Sequence, residues 1–176
     1  RLIADAVQSR DSAGEHSLGP VVITLTRAEA AGCLSPALPA TLPTSSALDV
    51  SPLGAGAGQL LGVAVSAGRP IALVETFAII NRIGIAAATW DDGRGVFVAA
   101  PSYLFTGDRA GFGDALLVED GFIHAYGCRN VGFLRDACYL ARAPEAGLAD
   151  ATAYTFYRAG GSFGPDLGDA WPLFDG

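Results

Sequence analysis

From Leu60 onward the chain is written as short β-rich runs divided by turn residues, and the pattern occurs twice. The first group of runs is Leu61 to Ser66, Ile71 to Ile79, Ile83 to Trp90 and Val96 to Phe105. Ala67-Gly68-Arg69-Pro70, Asn81-Arg82 and Asp91 to Gly95 separate them, all with turn chemistry. The second group is Ala115 to Glu119, Phe122 to Tyr126, Cys138 to Ala141 and Ala153 to Tyr157. Its turns are Asp120-Gly121, a loop over Cys128 to Ala137, and Pro144 to Asp150. Gly62 to Gly68 can be laid on Ala115 to Gly121 at an offset of 53. Identity is weak, but the order and spacing of the runs recur.

Four strands per ~50 residues, repeated, are the signature of β-propeller blades. A plain antiparallel sandwich is the alternative that short strands with regular turns leave open. Beyond residue 60 no segment keeps apolar residues at i, i+3, i+4 and i+7, so helix has little support. The predicted fold is all-β, part of a β-propeller, with two four-stranded antiparallel blades at about 60–106 and 114–158. Gly160 to Gly176 reads as the start of a third. Propellers need about four or more blades, so missing blades or another chain are expected. Residues 1–59 read as an N-terminal segment with one strand, Val21 to Thr26, and a Pro/Ala/Ser/Gly-rich linker from Leu34 to Gly58.

Of the 176 residues, 51% are hydrophobic and 16% charged, which excludes a disordered chain. The formal charge of −7 is the wrong sign for a general binder of nucleic acid or anionic membrane. No apolar stretch approaches the roughly 18 to 20 residues of a membrane span. The chain holds no Met and so does not begin at its own start codon. It is read as a processed product, an excised fragment or part of a longer chain. Cys128 and Cys138 stand at a spacing that suits a loop-closing disulfide, with free thiols as the alternative. A bridge points to a secreted or cell-surface protein. Cys33 is left over, its partner expected outside this chain.

Gly121-Phe122-Ile123-His124-Ala125-Tyr126-Gly127, Leu140-Ala141-Arg142-Ala143-Pro144 and Asp150-Ala151-Thr152-Ala153-Tyr154 carry a family resemblance. They resemble the "GyvYvyG", "lARvp" and "dpsaY" segments of a bacterial family of unknown function. Its members are built like the five-bladed β-propellers of glycoside hydrolases such as the arabinanases. The likeness covers about residues 83–174 and is poor before residue 60. It implies a propeller, and with it carbohydrate binding that extends, in the enzymes, to glycoside hydrolysis.

In such a propeller the second blade places Gly107 to Asp114 and Cys128 to Ala137 on one rim. Carboxylates, Arg, Asn and an aromatic platform are the groups of a sugar site. Asp114, at the mouth of an inner strand, is the first choice of catalytic carboxylate. A second carboxyl group is needed roughly 5 to 9.5 Å away, and Asp108 and Glu75 are the candidates. Glu75 lies inside an otherwise apolar strand, where alternation does not decide which face it takes. Phe112 is the expected stacking ring, and Arg109, Arg129, Asn130 and Arg135 the donors to substrate. Asp136, Gln59, Asn81 and Arg82 join the same rim. Any single Asp here has the competing role of capping its own turn. His16 and His124 lack metal-ligand spacing, so no metal is expected. The GAGAG at Gly54 to Gly58 lacks a Lys and a following helix, so no phosphate cofactor is expected either. The alternative to a sugar enzyme is a non-catalytic module that binds protein or glycan, or a structural part of a larger extracellular assembly.

Overall fold

Two tight turns organise the molecule. In the computed structural model, Ala67-Gly68 and Asp120-Gly121 all have positive φ, at 47° and 78° and at 51° and 77°. Positive φ at both central residues is the type I′ signature, the turn whose twist matches a two-residue hairpin. The structure describes the backbone of residues 2–4, 7–11, 14–18, 21–23 and 175, and in full residues 47–78, 81–106, 111–133 and 135–174. Among the described residues there is no α-helix, only short 3₁₀ turns. Strands β1 (Leu2–Ala4) and β4 (Val21–Ile23) pair, as do β2 (Val7–Asp11) and β3 (Gly14–Leu18). These are four short strands where the sequence pointed to one.

The first large sheet is a meander of β6 (Ala57–Ser66), β7 (Arg69–Ala78), β8 (Asn81–Asp91) and β9 (Val96–Thr106). The two-residue β5 (Leu48–Asp49) adds to β9 in parallel. The second is β10 (Ala115–Glu119), β11 (Phe122–Gly132), β12 (Arg135–Pro144), β13 (Thr155–Tyr157) and β14 (Phe163–Gly164), with β15 (Phe174–Asp175) on β12. The offset of 53 holds at the level of register. Ala64 pairs with Ile71 and Ile71 with Thr89; Leu117 pairs with His124 and His124 with Arg142.

The sheets stack face to face around one core. Ile71, Leu73, Ile85 and Ala87 of the first meet Ile123, Ala125, Ala141 and Ala143 of the second. Phe105 and Phe112 stand 5.3 Å apart, Phe105 and Tyr154 5.3 Å, and Phe112 and Phe156 5.4 Å, so the rings bind both sheets together. Each such pair adds about 1 kcal/mol beyond its buried area. Burial pushes the Tyr154 hydroxyl pKa up, and that hydroxyl donates to the Leu148 carbonyl at 2.9 Å. On the other face of the first sheet, Ala72, Val74, Ala86, Ala88, Phe97 and Ala99 pack under Leu48, Val50 and Leu53.

The stacking is head to tail. Ala125 and Ala141, which face the first sheet, are the offset counterparts of Ala72 and Ala88, which face away from the second. The counterparts of the inward Ile71 and Leu73 are His124 and Tyr126, on the outer face of the second sheet by strand alternation.

Three expectations change here. The Cys128–Ala137 segment is not a loop, because β11 and β12 continue through it as a paired hairpin. The 34–58 tract is no linker at its end. There Leu48–Asp49, the 3₁₀ turn Ser51–Leu53 and the start of β6 belong to the first sheet, while 34–46 lies outside the described residues. The tail does not begin a third unit, since Phe163–Gly164 and Phe174–Asp175 fold back onto the second sheet.

Candidate functional site

The edge strands β6 and β10 of the two sheets meet where β6 loses register with β7, between Leu60 and Val63. The Gly62 N–H donates to the Gly113 carbonyl. A Cβ on Gly62 would sit 2.7 Å from that oxygen and 2.8 Å from the Leu116 nitrogen, so only glycine permits this approach. Gly113 has φ +114° and lies against Leu73, and its N–H donates to the Tyr126 carbonyl at 2.8 Å. Between the strands opens a cleft of about 350 Å³, lined by Leu60, Leu61, Gly62, Val63, Asp114, Ala115 and Leu116.

Asp114 stands exposed at the lip of the cleft, where its Oδ2 accepts the Cys128 backbone N–H at 2.9 Å. It thus ties β11 to the start of β10 rather than capping its own loop. Glu75 shares a face of β7 with the core residue Leu73 and is only 5% exposed. Its Oε1 is ion-paired with the Arg82 guanidinium, and Gln59 on β6 is its cross-strand neighbour. Burial raises the Glu75 pKa, the Asp114 charge raises it further, and Arg82 opposes both. Glu75 therefore senses the Asp114 charge, although it lies beside the cleft and does not line it.

The other candidates fall elsewhere. Phe112 is buried between Phe105 and Phe156, so its ring is a core element and offers no stacking face. Arg129 lies 4.5 Å over the Tyr139 ring and donates to its hydroxyl at 3.2 Å. The Asn130 amide donates to Asp136 at 3.4 Å, and Arg135 is exposed on the facing strand. All three sit on the hairpin beyond Cys128, outside the cleft lining, because that segment is strand and leads away from Asp114. Asp108, Arg109 and Cys33 lie outside the described residues. Cys128 and Cys138 are disulfide-bonded directly across the hairpin, their Cα atoms 4.0 Å apart.

Sequence reasoning placed Arg82 on the rim but missed its pairing with Glu75. The antiparallel register of β7 and β8 sets Arg82 opposite Phe77, two positions from Glu75. Gly62 was passed over because a close approach between strands has no local signature. Among the described residues no three His, Cys, Asp or Glu side chains gather as a metal site. Among them, too, no helix is long and apolar enough to cross a membrane. No protein-family model matches the chain, and no curated protein matches it.

Proposed function

We propose that the chain is a glycoside-hydrolase-like propeller unit of an exported bacterial protein, binding carbohydrate at the β6–β10 cleft. Head-to-tail stacking supports the propeller, because only that arrangement lets one sheet after another repeat the same interface around a ring. The disulfide agrees with export. The observation that carries the chemistry is the Glu75–Asp114 pair: one carboxyl buried with a raised pKa, the other exposed at the lip of the cleft. Unequal environments are how two carboxyl groups divide into acid and base. Asp114 would serve as the base or nucleophile at the lip of the cleft, and Glu75, held by Arg82 beside the cleft, would act on the chemistry through the charge it shares with Asp114.

A second reading, a non-catalytic interaction module, draws on the lining itself. Leu60, Leu61, Val63 and Leu116 are aliphatic, and with Phe112 buried no ring there stacks on a sugar.

A panel of oligosaccharides, arabinan fragments included, separates the two by binding and turnover. For an enzyme, Asp114→Asn lowers turnover about 10²-fold or more while binding changes little. Binding without turnover leaves a lectin-like module. If no glycan binds, the carbohydrate reading is lost.

A further inference from the structure

Arg142, on the outer face of the second sheet beside His124, holds its guanidinium between two aromatic rings. The strand order puts Phe122 of β11 on one side of β12 and Phe163 of β14 on the other. The guanidinium carbon stands 4.7 Å from the first ring centroid and 3.8 Å from the second. Stacking at these distances keeps water from both faces of the cation. Its Nε is buried without a hydrogen-bond partner, and among the described residues no carboxylate pairs with the group. A charge so desolvated is costly to leave uncompensated. The side chain is only half-buried, and what stays open is the guanidinium edge. That edge is a planar fork of N–H donors fitted to the two oxygens of a carboxylate.

The surroundings suit a sugar. His124 is the cross-strand neighbour of Arg142 and offers a ring nitrogen on the same face. Tyr157 packs edge-on against Phe163, 5.8 Å between centroids, and adds a ring and a hydroxyl. The aliphatic β6–β10 cleft has no such ring. The position also stays open when sheets stack. Thr89, the counterpart of Arg142 at the offset of 53, shares a row with Ile71 on the face that meets the second sheet, yet it is exposed. A further sheet stacked on the second in the same manner leaves Arg142 at an open seam. The chain's charge of −7 disfavours polyanions, so the ligand carries a single negative charge.

We propose that Arg142 is the centre of a second glycan site, separate from the cleft, that takes a uronic acid residue. The sugar carboxylate accepts two N–H bonds from the guanidinium edge, and the pyranose lies toward Tyr157 and His124. That the anion belongs to a sugar rests on the carbohydrate reading of the chain, whereas the need for a carboxylate stands on the geometry of Arg142.

Calorimetric titration of the full 176-residue chain with glucuronate, its neutral methyl ester and acetate tests this. Glucuronate should bind saturably in the millimolar range, and the ester about tenfold or more weakly. Arg142→Gln should weaken glucuronate binding by a similar factor. The ester comparison uses the wild type, so it holds whatever the substitution does to the fold. No saturable binding of glucuronate overturns the inference. So does an ester that binds as well as the acid, or affinity indifferent to Arg142→Gln. Acetate bound as tightly as glucuronate overturns the sugar assignment in favour of a bare anion site. Neutral oligosaccharides report on the cleft separately. If they bind and glucuronate does not, this inference alone falls. If glucuronate binds through Arg142 and they do not, the cleft reading falls and this site stands.

Discussion

At the scale of single residues, Glu75 joins packing to charge. Because its folded pKa is raised, the folded chain holds this proton more tightly than the unfolded chain does. The sign follows: its contribution to stability is complete below the ordinary value of 4.5 and is lost as pH rises through the raised one. Glu75→Gln should therefore flatten the decline in urea midpoint on going from acid toward neutral pH. An unchanged slope would show that Glu75 is not the group responsible. The carboxylates at 75 and 114 were visible in the sequence as chemistry, but their coupling was not. It depends on Gly113 packing against Leu73, a contact between sheets. Phe112 misled for a physical reason. Its Gly-rich surroundings resemble a loop, yet an aromatic just ahead of β10 is where two sheets can share a ring.

Among elements, the β11–β12 hairpin departs furthest from expectation. Arg129 to Asp136 holds polar residues and Gly132, so local composition reads as loop. The register from Cys128 to Cys138 carries the pairing onward. Closing 11 residues stabilises the fold by about 3 kcal/mol in the chain-entropy model. Replacing both cysteines by serine should lower the unfolding free energy by about that much in urea titration. A loss well under about 1 kcal/mol would mean that the cross-strand pairing alone orders the hairpin. The turns at Ala67-Gly68 and Asp120-Gly121 were legible, because an X-Gly pair between apolar runs signals a two-residue hairpin. The third-unit reading of the tail failed because Phe163 and Phe174 find pairing partners on the sheet already present.

For the molecule as a whole, one core serves two sheets, so neither keeps its apolar face dry without the other. Trp90 lies in the first sheet and Trp171 beside the second, which gives each its own reporter. Trp90→Phe and Trp171→Phe variants should show coincident urea transitions by fluorescence, once each is corrected for its own stability. Separated midpoints would mean that the sheets unfold independently. The repeat was readable as an offset of 53, but the direction of stacking was not, since a strand's sequence shows alternation and not which face meets which sheet. That the register repeats so closely also says where length can change. Thr89 pairs with Val98, nine positions on, whereas Arg142 pairs with Thr155, thirteen on. The added residues sit in the connection ahead of the fourth strand, around the 3₁₀ turns Glu145–Gly147 and Ala151–Ala153. One residue inserted between the first and third strands would turn side chains out of the shared core, while the last connection absorbs insertions of either parity. Grafted loops and epitope tags therefore belong at the exposed residues 149–152, between the buried Leu148 and Tyr154.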